Sequence, residues 1–340
     1  MADIGMLFPN IKIIQDACSA FFEYYILNER KIPIDFSLSI EKPDKSKVKG
    51  EIIFKNVRFK YGKDTDSKII LNNINLKFES GKKIALVGES GCRKSTIVNL
   101  IERLYEPNDG EILLDNIDIT HYNIEYLRSL IGYVQQEPVL FNKSIKDNII
   151  LGREKYFENQ EILEKSLKRS CDESFATEFI DKLPGKMDYV VGIKGKKLSG
   201  GQKQPIAIAR AILTKPKILI FDEATSSLDY KSEKEVQRAL DNICTENITT
   251  IIIAHRLSTI KNADLIYSLK DGEIIEMGNH KELLDKNGYY ASLVKSQLIN
   301  EELIKKKEGN LKENDSNLIE KKMKILILFK LKISLFLKKI

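Results

Sequence analysis

Residues 88–96 read GESGCRKST. The spacing approaches G-x-x-x-x-G-K-[ST], the pattern of a loop that wraps phosphate, with Arg93 at the place of the second glycine. A helix N-terminus presents free N–H groups and a partial positive charge, and so attracts phosphate. Here the amides of residues 91–94 would surround a β-phosphate. Lys94 would neutralise β and γ oxygens, and the Ser95 hydroxyl would bind Mg²⁺. The plain alternative is a glycine turn before a helix. A second string, ILIFDEATSSLD (218–229), leads four apolar residues into Asp222 and Glu223. At a strand end Asp222 can hold the Mg²⁺ shell and Glu223 can activate a water. Alone, an acidic pair there serves as a helix N-cap as often as a site. A third string, LSGGQKQPIAIARA (198–211), places Ser199 as an N-cap before two glycines. Paired glycines disfavour a helix start, so something requires bare backbone close by. A phosphate is the obvious candidate.

The flanking patterns supply the elements to position these groups. KIALVG reads as a buried strand before the loop. STIVNLIERLY follows it with Ile97, Leu100, Ile101 and Leu104 on one helical face. The order strand, glycine loop, helix is the context that a phosphate loop needs. KILIFDEA and TTIIIAH read as further buried strands, and DLIYSL with GEIIEMG as a closing pair. EIIFKNVRF and IILNNINLKF alternate like half-buried strands. The expected fold class is α/β: a phosphate-loop core with a mainly parallel sheet, an antiparallel β part near the N-terminus, and a helical part over about 140–215.

Composition sets the limits. The chain has 340 residues, 42% hydrophobic and 31% charged, ordinary for a globular protein. Its net charge of +6 equals that of residues 318–340, which hold seven Lys and one Glu. The body is therefore neutral, and nucleic-acid binding is not expected from charge. Cys18, Cys92, Cys171 and Cys244 form no C-x-x-C pair, so neither a disulfide framework nor a zinc site is expected. No run is apolar enough to span a bilayer, and the N-terminus lacks the basic flank of a secretory signal. Residues 1–48 read as a helical lead-in and polar linker, 49–300 as the body, and 301–340 as a polar segment with a basic, apolar end. That end is either an extension without a fold or a segment for anionic lipid surfaces.

The three strings together resemble the nucleotide-binding domain of an ATP-binding cassette transporter over about residues 49–300. LSGGQ is similar to that family's signature, ILIFDE to its Walker B strand, SSLD (226–229) to its D-loop and QQEPVLF (135–141) to its Q-loop. IIIAHRLSTI (251–260) is similar to its switch region. Within the family, YVQQEPVLF and IIIAHRLSTI resemble the multidrug-resistance, or P-glycoprotein, exporters. The lead-in resembles the end of their last membrane helix, which suggests a first-half cassette separated from its membrane domain.

The resemblance implies ATP and Mg²⁺ as ligands. Gly88, Ser90, Gly91, Cys92, Arg93, Lys94, Ser95 and Thr96 would line the phosphates, and Tyr61 would stack on adenine. Ser95, Gln136 and Asp222 would hold the metal, and Glu223, His255 and Gln136 would serve hydrolysis. Ser199, Gly200, Gly201, Gln202 and Asp229 would serve the ATP of an opposite, head-to-tail cassette. A transmembrane domain would be the other partner, and the cytoplasmic face of a membrane the location. Three residues depart from the family pattern: Arg93, Pro205 in place of arginine, and Ile193 in place of glutamate. Arg93 either strains and crowds the loop or adds positive charge beside a triphosphate. Pro205 removes an N–H inside the signature helix, and Ile193 touches coupling to the membrane domain. The competing expectations are thus an exporter cassette that hydrolyses ATP and a degenerate cassette that binds nucleotide or a partner with little hydrolysis. A soluble translation- or repair-type cassette fits less well, because tandem cassettes and long coiled coils are missing.

Overall fold

The computed structural model describes residues 4–29, 40–62, 68–89, 91–224, 230–244, 247–254 and 257–299. Its centre is a six-stranded sheet in the order β10-β9-β3-β8-β7-β6. These strands are β3 (Lys83–Val87), β6 (Ile131–Val134), β7 (Ile218–Asp222), β8 (Thr249–Ile253), β9 (Leu265–Lys270) and β10 (Glu273–Gly278). All pair in parallel except β10, which runs antiparallel to β9. The strands read as unbroken apolar runs because both faces are covered. Alternate residues feed two different cores. Ile84, Ile218, Ile220, Ile251 and Ile253 enter one, and Ala85, Leu219, Phe221 and Ile252 the other.

The first core lies against a four-stranded antiparallel sheet, β2-β1-β4-β5. It comprises β1 (Ile52–Phe59), β2 (Leu71–Phe78), β4 (Asp109–Leu114) and β5 (Ile117–Asp118). Their inward residues, such as Phe54, Leu76, Phe78 and Ile112, meet Ile97, Leu100 and Ile101 of α2 (Lys94–Ile101). Leu104 does not join that stripe, contrary to its spacing. The helix stops at Ile101, and Arg103 turns left-handed (φ 49°) and is itself buried. Its guanidinium donates to the Thr120 carbonyl at 2.9 Å and to Glu106. Leu104 is left 45% exposed.

The helical unit comprises α4 (Ile145–Ile150), α5 (Gln160–Glu173), α6 (Thr177–Ile180) and α7 (Gly200–Ile212). A third core, running from Leu140 to Leu213, holds it together. Helix α7 is buried on two sides. Ile206 and Ala209 face the helical unit, and Ala207, Ile208 and Ala211 face the sheet. Helix α8 (Tyr230–Ile243) covers the same sheet face through Val236, Ala239 and Leu240.

The lead-in contains the expected helix, α1 (Ile4–Glu29). Its residues 11–29 are exposed all round, Phe21 and Leu27 included. Residues 40–48 lie on the body. The Glu41 amide donates to the His121 carbonyl and the Glu41 carbonyl accepts from the Asn123 amide, Tyr126 donates to the Pro43 carbonyl, and Val48 enters the first core. Among the described residues, no helix is long and apolar enough to cross a membrane.

Candidate active site

Strand β3 delivers the chain into the loop at Gly88. A Cβ there would lie 2.3 Å from the Leu269 carbonyl, so only glycine fits. Arg93 sits directly before α2 with φ 78° and ψ 19°. This is the left-handed region, where a side chain costs roughly 1–2 kcal/mol. Gly91 shares the hand, with φ 82°. Lys94 opens α2 and is buried. Its Nζ donates to the carbonyls of Gly88 (2.8 Å) and Glu89 (3.1 Å) and lies 3.4 Å from Cys92 Sγ. The loop thus holds its lysine against its own backbone.

The neighbouring strand ends bring in the carboxylates. Asp222 closes β7, paired with Ile253 of β8. Tyr133, one strand over on β6, donates its phenol to Asp222 Oδ2 at 3.1 Å. Burial raises the Asp222 pKa. Hydrogen bonds from Tyr133 and Ser95 and the charge of Lys94 act against that rise, and Glu223 adds to it. Ser95, in the first turn of α2, thus acts on the carboxylate at the end of β7. The phenol of Tyr133 is itself pushed far up, first by burial and then by Asp222. Glu223 stands with φ 50°, its amide donating to the Ile253 carbonyl at 2.8 Å. A non-glycine residue held there stores strain at the point where the chain leaves the sheet.

Tyr61 reaches the same place from the antiparallel sheet. Its hydroxyl is 3.2 Å from Thr96 Oγ1. Its ring centroid is 4.8 Å from Phe59 and 5.0 Å from Tyr105, both edge-on. An aromatic patch therefore borders the phosphate loop.

The signature string forms the start of α7. Ser199 accepts from the Gln202 amide at 3.3 Å, and Gln202 Oε1 accepts from the Ser199 amide at 3.0 Å, which closes a capping box. Ser199 and Gly200 are exposed. The helix begins there and no later, so Pro205 lies inside it as the sixth residue. The Gly201 carbonyl consequently lacks its intrahelical donor. No described contact joins residues 199–202 to the phosphate loop of the same chain.

The fold thus brings together Tyr61, Gly88, Gly91, Cys92, Arg93, Lys94, Ser95, Thr96, Asp222 and Glu223, whereas no described contact adds Ser199, Gly200, Gly201 or Gln202 to them. Gln136 is exposed just past β6. Ser90, Asp229 and His255 lie outside the described residues. Ile193 is 67% exposed on a short turn before α7.

Three contributors escape motif reading. Tyr133 braces Asp222, Tyr105 packs on Tyr61, and Gln204, buried in α7, donates to the Gln135 carbonyl at 3.3 Å. The last bond couples the signature helix to the segment carrying Gln136. The signals were a phenol inside the apolar run IGYV and an amide inside a buried helix face.

Comparison with known proteins follows the same lines. Residues 71–226 match the ABC transporter family. The chain is 47% identical over 296 residues to multidrug resistance protein 1 of Entamoeba histolytica, with 87% of this chain and 22% of that protein covered. It is 45% identical over 295 residues to ATP-binding cassette sub-family B member 5 of Homo sapiens, with 86% and 23% covered. Among solved structures, a bacterial Atm1-family ABC exporter with ATP bound superposes with a TM-score of 0.72 at 36% identity. That match covers 86% of this chain and 49% of the exporter. The chain therefore spans less than a quarter of the two curated relatives and about half of the solved one.

Proposed function

Because this chain carries a nucleotide-binding cassette of the ABC transporter family, we propose that it hydrolyses Mg·ATP and drives a multidrug-type exporter. The observation that carries this reading is the meeting of Lys94, Ser95 and Asp222, where Lys94 and Ser95, at the start of α2, both favour the charged form of the Asp222 carboxylate at the end of β7. A hydroxyl and a carboxylate are hard oxygen donors and fit Mg²⁺, which takes few protein ligands and keeps water and phosphate as the rest. Gln136 would complete that set. When bound, Mg²⁺ neutralises charge developing on the phosphate oxygens. Lys94 would hold the β and γ oxygens, and the 91–94 amides would fix the β-phosphate. Glu223 would orient the attacking water and accept its proton, with His255 at the γ-phosphate. Tyr61 would take the adenine.

No described contact joins residues 199–202 to this loop, which supports their service to a second cassette. In that arrangement two cassettes close head to tail over ATP, with Asp229 at the seam. The signature helix would pass the change to Gln136 through the Gln204–Gln135 bond, and hence to a transmembrane domain at the cytoplasmic face of a membrane. Residues 1–48 would connect to that domain, 49–300 would form the cassette, and 301–340 would lead onward. A second reading has its own observation. Arg93 is held left-handed and Pro205 interrupts the signature helix, so the cassette would bind nucleotide but turn over slowly.

Steady-state Mg·ATP hydrolysis separates the two, with Glu223→Gln as the blank. An active cassette clears that blank unmodified, and Arg93→Gly adds up to about tenfold, the equivalent of roughly 1–2 kcal/mol of relieved strain. Activity equal to the blank in the unmodified chain, appearing only with Arg93→Gly and Pro205→Arg together, would establish the second reading.

A further inference from the structure

A cavity of about 490 Å³ opens away from the phosphate loop, sharing no lining residue with it, with β7 or with the start of α7. Four separate pieces wall it: the 40–48 segment, α3 (Ile124–Ser129), the turn Glu154–Tyr156 with the start of α5, and the turn after α7. It thus lies where the lead-in, the core and the helical unit meet. The volume falls in the range of small-molecule sites.

Its lining is unbalanced in charge. Lys42, Lys45 and Lys215 face it, and the one carboxylate among the lining residues, Glu125, is paired with Lys155 at 2.9 Å. Arg153 stands behind, 3.4 Å from Thr214 Oγ1, and Lys217 is close by. Burial lowers the Lys45 pKa, and Arg153 and Lys217 lower it further. The carbonyl end of α7 accounts for part of this gathering, since helix C-termini attract cations. Lys45 Nζ donates to the Thr214 carbonyl at 2.8 Å, and Arg169 from α5 already serves Ile212 and Leu213, each at 3.0 Å. Lys42 and Lys215 are surplus to that task. Like charges confined together in a half-buried cleft raise its potential and draw a counter-charge. Part of the wall is apolar and aromatic, built by Tyr126, Tyr156, Phe157 and Leu213. An anion alone would leave that wall wet.

We propose that this cavity binds a small phosphorylated molecule with a flat apolar body, independently of the nucleotide site. The phosphate lies among Lys42, Lys45 and Lys215, and the ring lies against the tyrosines and Phe157. Such a ligand ties the lead-in to both the core and the helical unit. The inference does not depend on the ATPase reading.

Pyridoxal 5′-phosphate is a suitable probe, applied to the full chain with saturating Mg·ATP. An uncharged lysine amine adds to its aldehyde with loss of water, and borohydride then reduces the imine to a stable secondary amine. Peptide mass spectrometry reports which lysines carry it. The expected result is saturable labelling of Lys45, Lys42 or Lys215 well above that of Lys165, an exposed lysine on α5. Pyridoxine 5′-phosphate, which has no aldehyde, protects them. The double variant Lys42→Gln, Lys215→Gln changes only exposed positions and lowers labelling of Lys45 about tenfold, as expected for a lost charge-assisted contact. Labelling of the cavity lysines no faster than Lys165, absence of protection, or an unchanged rate in the double variant would each overturn the proposal.

Discussion

At the residue scale the site depends on how Asp222 is held. Its carboxylate takes the Tyr133 phenol on one oxygen, which leaves the other side of the group for Ser95 and a cation. Tyr133 is a positioning residue. Tyr133→Phe is expected to raise the Mg²⁺ concentration for half-saturation about tenfold, on the scale of a hydrogen bond to a charged group. Nucleotide binding without metal should not change. Fluorescent-nucleotide titration with and without Mg²⁺ reads both, and equal losses in the two would make Tyr133 merely structural. Behind it, burial lifts the Glu102 pKa to about 7 from 4.5, against the pull of Arg128. The folded state therefore prefers protonated Glu102. Its contribution is complete below about pH 4.5 and is lost as pH rises through 7, by roughly 3 kcal/mol at most. Glu102→Gln should flatten that fall, so that denaturant unfolding shows a smaller stability loss between pH 5 and 8.

At the element scale α7 carries the most. It is capped by a reciprocal box at Ser199 and Gln202, buried on two sides, and interrupted by Pro205. The helix survives the proline because both cores clamp it, even though the Gly201 carbonyl loses its donor. Pro205→Ala restores the N–H and removes the ring, so thermal and denaturant unfolding should show a gain of up to about 3 kcal/mol. An unchanged midpoint would mean that the helix had already relaxed around the ring. Much of this element was legible in sequence. Ser199 as N-cap and Pro205 as the sixth helical residue follow from spacing alone. The two-sided burial was not, because periodicity marks one apolar face and says nothing of two partners.

At the scale of the whole molecule, two cores lie on the faces of the central sheet and α7 joins the second of them to a third in the helical unit, while residues 11–29 of α1 stand outside all of them. Its residues 11–29 expose Ile13, Phe21, Phe22 and Tyr24 among others, a surface that in water favours association. Deleting residues 1–29 should reduce light scattering and sharpen size-exclusion profiles without moving the unfolding midpoint of the body. A falling midpoint would show that α1 contributes to the fold.

The sequence by itself determined the order of strand, loop and helix, the acidic pair at the end of a buried run and the capped signature helix. These are local: each rests on chain spacing within about ten residues and on backbone sterics. Only the tertiary structure decided which groups share a site. The parallel register of β6, β7 and β8 places Tyr133 beside Asp222, although 89 positions separate them. The left-handed, buried Arg103 ends α2 and turns Leu104 outward. The 40–48 segment, polar enough to read as linker, packs down and builds one wall of a basic cavity. In each case the partner lies far along the chain, so sheet register and side-chain packing choose it, and no periodicity records that choice.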